Sequence, residues 1–171
     1  MHRLLVIAAL VVGLTPAFAQ DYSAIEKAVE AQHTAAIRVA AKDEADLNKQ
    51  IEEKIMGLVN FIQSGKVEVT GVPYSRYFRY EPGTAIEAEV GFPIKEATTG
   101  EGDVVGSELP AGNVVMVTHV GDYQKIGDAY TALKTWIADN KKEVTGGPWE
   151  SYVKSGNKPE DNVTEIYFPV K

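Results

Sequence analysis

Val69-Thr-Gly-Val-Pro-Tyr-Ser-Arg-Tyr77 is written a second time as Val144-Thr-Gly-Gly-Pro-Trp-Glu-Ser-Tyr152, 75 positions later (144 − 69). Each copy runs through a loop into a closing strand, Glu89-Val-Gly-Phe-Pro-Ile-Lys95 and Glu165-Ile-Tyr-Phe-Pro-Val-Lys171, where the offset is 76 (165 − 89). Upstream of each copy lies a helical stripe. Ile51, Ile55, Leu58 and Ile62 recur in steps of three and four, and so do Ile126, Tyr130, Leu133 and Ile137. Asp43 is placed to cap the first helix and Gly65 to end it; Gly121-Asp122 opens the second. An apolar strand precedes each helix, His33 to Ala41 and Asn113 to Val120. The predicted unit is therefore β-α-β-β, used twice, over residues 33–95 and 112–171. It implies an α+β domain: an antiparallel sheet with two helices on one side and a cleft at the pseudo-two-fold seam. Residues 20–32 read as a polar lead-in without an assigned role, and Lys95 to Glu108 as an exposed connection.

The start of the chain has a different character. Met1-His-Arg3 is basic, Leu4 to Leu14 is an uncharged apolar run, and Ala17-Phe-Ala19 offers small residues for cleavage. These are the three parts of a secretory signal peptide, so residues 1–19 are expected to be removed and the protein to be periplasmic or secreted. The run is shorter than the ~20 residues of a membrane anchor, so no membrane insertion is expected after cleavage. Cysteine is absent, which excludes thiol catalysis and thiolate metal sites. Lys and Arg number 17 against 24 Asp and Glu, for a net charge of −7. That balance argues against nucleic acid, whose phosphates call for basic patches. His33 and His119 have no metal-like spacing to each other or to acids, and Gly100-Glu-Gly102 lacks the strand and helix of a nucleotide loop. No metal or cofactor is expected.

The residues that could carry binding lie on the last two strands of each unit. They are Trp149, Glu150, Tyr152 and Glu165 in the second, and Tyr74, Ser75, Tyr77 and Glu89 in the first. Tyr123 and Tyr130, from the second helix, could join them. Aromatic faces attract positive charge, and a carboxylate in a water-poor pocket strengthens the attraction, so this set suits an organic cation. Glu165 stands out because it interrupts the apolar run Val163 to Val170, where a carboxylate is costly unless paired or hydrogen-bonded. Strand alternation leaves open whether Glu165 or its neighbour Ile166 faces the core. The aromatic residues also suit a sheet-face core.

The order and spacing of Thr118-His-Val-Gly-Asp-Tyr123, Ala129-Tyr130, Trp136-Ile137, Gly147-Pro-Trp-Glu-Ser-Tyr152 and Thr164-Glu-Ile-Tyr-Phe-Pro-Val170 resemble the GyrI-like effector-binding domains, also found on AraC- and MerR-type regulators. Gly71-Val-Pro-Tyr74 and Glu89-Val-Gly-Phe-Pro-Ile94 extend the likeness into the first half. The resemblance implies a duplicated fold whose cleft takes hydrophobic or cationic small molecules. It maps the family's buried glutamate onto Glu165; from the residues themselves, Trp149, Tyr152, Tyr74, Tyr77, Tyr123 and Glu89 are expected around the ligand. The family's frequent Gly-Pro-Tyr before the second helix is Gly121-Asp-Tyr123 here, a departure. A branch of the family hydrolyses strained small molecules; in that case Glu165, Glu150 and Tyr152 would be catalytic. A third alternative is a haem-associated protein resembling the SOUL domains. The first expectation is an exported small-molecule-binding domain without chemistry of its own.

Overall fold

The structure is a computed structural model, described over residues 21–80 and 84–171; the expected signal peptide lies outside these residues. Among the described residues, nine strands form one antiparallel sheet: β1 Ile25–Val29, β2 Gln32–Ala41, β3 Tyr74–Arg79, β4 Ile86–Pro93, β5 Gly100–Glu101, β6 Val104–Leu109, β7 Gly112–Val120, β8 Trp149–Lys154 and β9 Val163–Pro169. Two helices, α1 Glu44–Gln63 and α2 Ile126–Asp139, complete the fold. The sheet order is β1-β7-β9-β8-β3-β4-β2-β6-β5.

Local chemistry sets the helix ends. The Asp43 carboxylate accepts the Asp46 N–H at 2.8 Å, satisfying one of the amides that a helix start leaves free. Leu47, Leu58 and Phe61 bury the inner stripe of α1. At its end Gly65 takes φ 74°, a conformation that glycine adopts without strain. Before α2, Asp122 caps a 3-10 turn at Tyr123–Lys125, so the helix proper starts later than the sequence suggests. Ala129, Leu133 and Ile137 form its buried stripe.

Both helices cover the same face of the sheet. Ile37, Val90, Ser75, Glu150, Ile166 and Val117 form one continuous row of cross-strand partners. Ile37 packs with Leu58 of α1 at one end, and Ile166 and Val117 pack with Leu133 of α2 at the other. Because side chains alternate, everything in this row points to the helix side. The two helices sit over the flanks, which leaves the central strands β3 and β8 as an open floor.

The seam between β3 and β8 has a regular plan. Tyr74, Ser75 and Arg76 pair with Ser151, Glu150 and Trp149. The Tyr77 N–H donates to the Pro148 carbonyl at 3.0 Å, and the Tyr152 N–H donates to the Pro73 carbonyl at 2.9 Å. These two bonds exchange under the 75-residue offset, and a register shift follows each tyrosine, at Tyr77/Arg79 and Tyr152/Lys154. The Ser75–Glu150 pair lies at the centre of this arrangement.

The opposite face is closed by curling. β1 and β2 are six interstrand steps apart, which in a flat sheet would be about 29 Å at ~4.8 Å per step. Only Glu30 and Ala31 join them, a link that reaches at most about 11 Å. The sheet must bend until its flanks approach. The interior of that bend holds Tyr74, Leu109, Val114, Met116, Trp149 and Tyr167, with Val29 packed against them. Two sequence expectations are corrected here. The polar lead-in contains β1, which pairs with β7 over five residues. The exposed connection contains β5 and β6, and β6 pairs with β2. Both are edge additions with alternating or polar composition, where backbone pairing, not apolar pattern, makes the strand.

Candidate functional site

On the helix side, between α1 and α2, lies a cleft of about 1360 Å³. Its floor is β3 and β8. Leu47 and Glu44 line it from α1, Tyr123, Ile126 and Tyr130 from the α2 side, and Tyr77, Tyr80, Glu150 and Tyr152 from the seam. Tyr80, Tyr123 and Val144 are exposed among the residues that line it.

Glu150 is the acid at its centre, only 6% exposed. The Tyr130 hydroxyl donates to it at 2.7 Å and the Tyr152 hydroxyl lies 3.0 Å from its other oxygen. Tyr152 is also 3.0 Å from Ser75 Oγ. A phenol has one proton, so Tyr152 donates to the carboxylate and accepts from Ser75. Burial pushes the Glu150 carboxyl above its ordinary range, while the two tyrosine hydrogen bonds and the nearby His119 pull it back. Burial and the neighbouring carboxylate raise Tyr130 and Tyr152 far above a free phenol, so both remain donors. Among the described residues no lysine or arginine pairs with Glu150. It is a buried anion held by neutral donors, facing an aromatic space.

The aromatic walls are ordered by edge contacts. Tyr123 meets Tyr152 at 5.9 Å between ring centroids, Tyr77 meets Tyr80 at 5.4 Å, and Tyr130 meets Phe168 at 5.8 Å. Gly147 lets the two copies close on each other: a Cβ there would stand 2.0 Å from the Tyr77 carbonyl oxygen. Behind α2, His119 Nδ1 lies 2.7 Å from the Tyr22 hydroxyl, and Nε2 donates to the Asp122 carbonyl at 3.0 Å. Both ring nitrogens are thus occupied, and His119 is a brace for the start of α2.

The residues expected to share one site divide between the two faces. Tyr77, Tyr152 and Tyr123 line the cleft, as does Glu150. Tyr74, Trp149, Glu89 and Glu165 point the other way. Glu165 pairs with Ser151 and Thr118, one position out of the helix-facing row, and accepts a hydrogen bond from Tyr167. Trp149 stacks on Tyr167 at 5.0 Å inside the curl. Glu89, fully buried there, accepts from Tyr74 at 2.9 Å, Ser107 at 2.9 Å and Arg38 at 3.3 Å. That carboxylate is satisfied by protein donors and a guanidinium. The placement of Glu165 follows from alternation: Ile166, Phe168 and Val170 face α2, so the odd-numbered neighbours cannot. Glu44 and Tyr80 at the mouth were not singled out from the sequence, because no local pattern marks a rim.

The sequence matches the GyrI-like small molecule binding domain over residues 39–171. The chain belongs to that family. Solved structures share the fold. The crystal structure of the EcmrR C-terminal domain has a TM-score of 0.76 at 23% identity, covering 88% of this chain and 98% of that one. SAV2435 bound to tetraphenylphosphonium has a TM-score of 0.60 at 12% identity, over 89% of this chain and 94% of its own. A hydrolase from Listeria innocua has a TM-score of 0.60 at 10% identity, over 90% and 94%. No curated protein matches the chain in sequence.

Proposed function

We propose that this GyrI-like domain binds hydrophobic organic cations in the cleft between its helices, with Glu150 as the charge anchor. The observation that carries this reading is the buried Glu150 carboxylate, held by Tyr130 and Tyr152 and unpaired with any cation among the described residues. Such a group gains most from a ligand that supplies the missing positive charge together with apolar surface. The tyrosine faces around it attract the same charge. The structural likeness to a protein solved with tetraphenylphosphonium, a lipophilic cation, supports the reading. The symmetric seam bonds support an origin of the cleft by duplication of one β-α-β-β unit. The Met1 to Ala19 pattern supports a place of action outside the cytoplasm, which the mass of the mature N-terminus would check.

A second reading is hydrolysis of a small molecule, with Glu150 as general base and Tyr130 or Tyr152 as proton donor. The raised carboxyl beside two phenols favours it chemically. Calorimetric titration with lipophilic cations and neutral analogues of matched shape separates the readings when each mixture is then assayed for products. Tight binding of the cations, weak binding of the neutral forms and no turnover support the binding domain. Product formation that is lost in Glu150→Gln supports the hydrolase.

A further inference from the structure

Four charged side chains of the described residues line the cleft: Glu44, Arg79, Lys134 and Glu150. Arg79 is already tied to Glu87 at 2.8 Å. Lys134 stands on the α2 wall, one turn beyond Tyr130. Glu44 stands on the opposite wall, in the first turn of α1, where it accepts a hydrogen bond from Tyr80. A row of tyrosines connects the two acids. Tyr152 touches Glu150; Tyr77 feels the charge of both Glu150 and Glu44; Tyr80 packs edge-on against Tyr77 and reaches Glu44.

We infer that the preferred ligands are elongated molecules with two cationic ends, one seated on Glu150 at the floor and the other on Glu44 at the mouth. This rests on the cation reading of the cleft. Size is the first argument. The cleft, at about 1360 Å³, exceeds the roughly 300–1,000 Å³ of ordinary small-molecule pockets, so a compact cation on Glu150 leaves the mouth unfilled. Charge is the second. Lys134 repels a second positive centre from the α2 wall, while Glu44 attracts it to the α1 wall. The cleft is therefore electrostatically lopsided although its floor is symmetric, and that asymmetry sets the direction of the ligand. The intervening tyrosine faces suit the apolar spacer of such a molecule and accept either ammonium on its way in.

The test is calorimetric titration of the full chain with bis(trimethylammonium)alkanes and with alkyltrimethylammonium ions of matched length. Wild type should bind the best bis-cation on the order of fivefold tighter than its mono-cation partner, beyond the statistical advantage of two equivalent ends. The advantage should peak at one spacer length and shrink in high salt, because the mouth site is open to solvent. Glu44→Gln should cut bis-cation affinity several times more than mono-cation affinity. Glu150→Gln should weaken both classes together. Equal affinities for the two classes in wild type, or an advantage that survives Glu44→Gln, would overturn the two-ended ligand while leaving Glu150 as a single anchor. Failure of both classes to bind wild type would bring down the cation reading itself.

Discussion

Glu150 is a carboxylate whose surroundings oppose its charge unless a ligand brings a partner. Burial raises its pKa; Tyr130, Tyr152 and His119 only moderate the effect. A raised folded-state pKa has a definite sign in stability. The folded protein holds the proton more tightly than the unfolded chain, so the contribution is favourable below the unfolded pKa. It is lost as pH rises through the folded pKa. Glu150→Gln should therefore raise the melting temperature at neutral pH, and the gain over wild type should vanish in acid. Cation binding has the opposite dependence, since it needs the ionised form and weakens as pH falls through the same raised pKa. Tyr130→Phe removes a hydrogen bond that favours the anion, so it should move the pH midpoint of cation binding upward. A midpoint that stays put would show that Tyr130 does not tune Glu150. The sequence made Glu165 the conspicuous acid because it interrupts an apolar run. Alternation decides otherwise: Ile166 occupies the buried register against α2, and Glu165 takes the other face beside Tyr167. Glu150 drew less notice because Trp149 and Ser151 around it carry no apolar pattern.

At the scale of elements, the site depends on the close approach of β3 and β8. The Gly147 position allows no Cβ, because the Tyr77 carbonyl would be 2.0 Å away and backbone cannot yield as a side-chain tip can. Gly147→Ala should cost about 2 kcal/mol or more, a drop in melting temperature of roughly 4–8 °C in a domain of this size, and should weaken ligand binding along with it. An unchanged melting temperature would mean that the seam shifts freely. The helices and the seam strands were legible in sequence because apolar steps of three and four mark α1 and α2, and the copied sequence segment marks β3 and β8. The edge strands were not. β1 carries Glu26 and Lys27 and is exposed over most of its length, so its place comes from pairing with β7 and from the Glu26–Lys142 ion pair at 2.6 Å. β5 has two residues, too few for any periodicity.

At the scale of the whole molecule, the two faces of one sheet have different uses. Curling wraps Tyr74, Trp149 and Tyr167 into a core and satisfies Glu89 with Arg38, Ser107 and Tyr74. The helices cover only the flanks of the other face, so the centre stays open above Ser75 and Glu150. A sequence shows which residues belong to the last strands of each unit but not how far a sheet bends, and the bend is what turns Tyr74 and Trp149 into core. On the proposed reading, the ligand anchor is Glu150, the acid on the open face. Calorimetric titration with tetraphenylphosphonium, run side by side on wild type, Glu150→Gln and Glu165→Gln, tests it most directly. A charge-assisted contact of about 1.5–3 kcal/mol predicts a loss on the order of 10- to 100-fold for Glu150→Gln and wild-type affinity for Glu165→Gln. Loss of binding in Glu165→Gln with Glu150→Gln unaffected would contradict it.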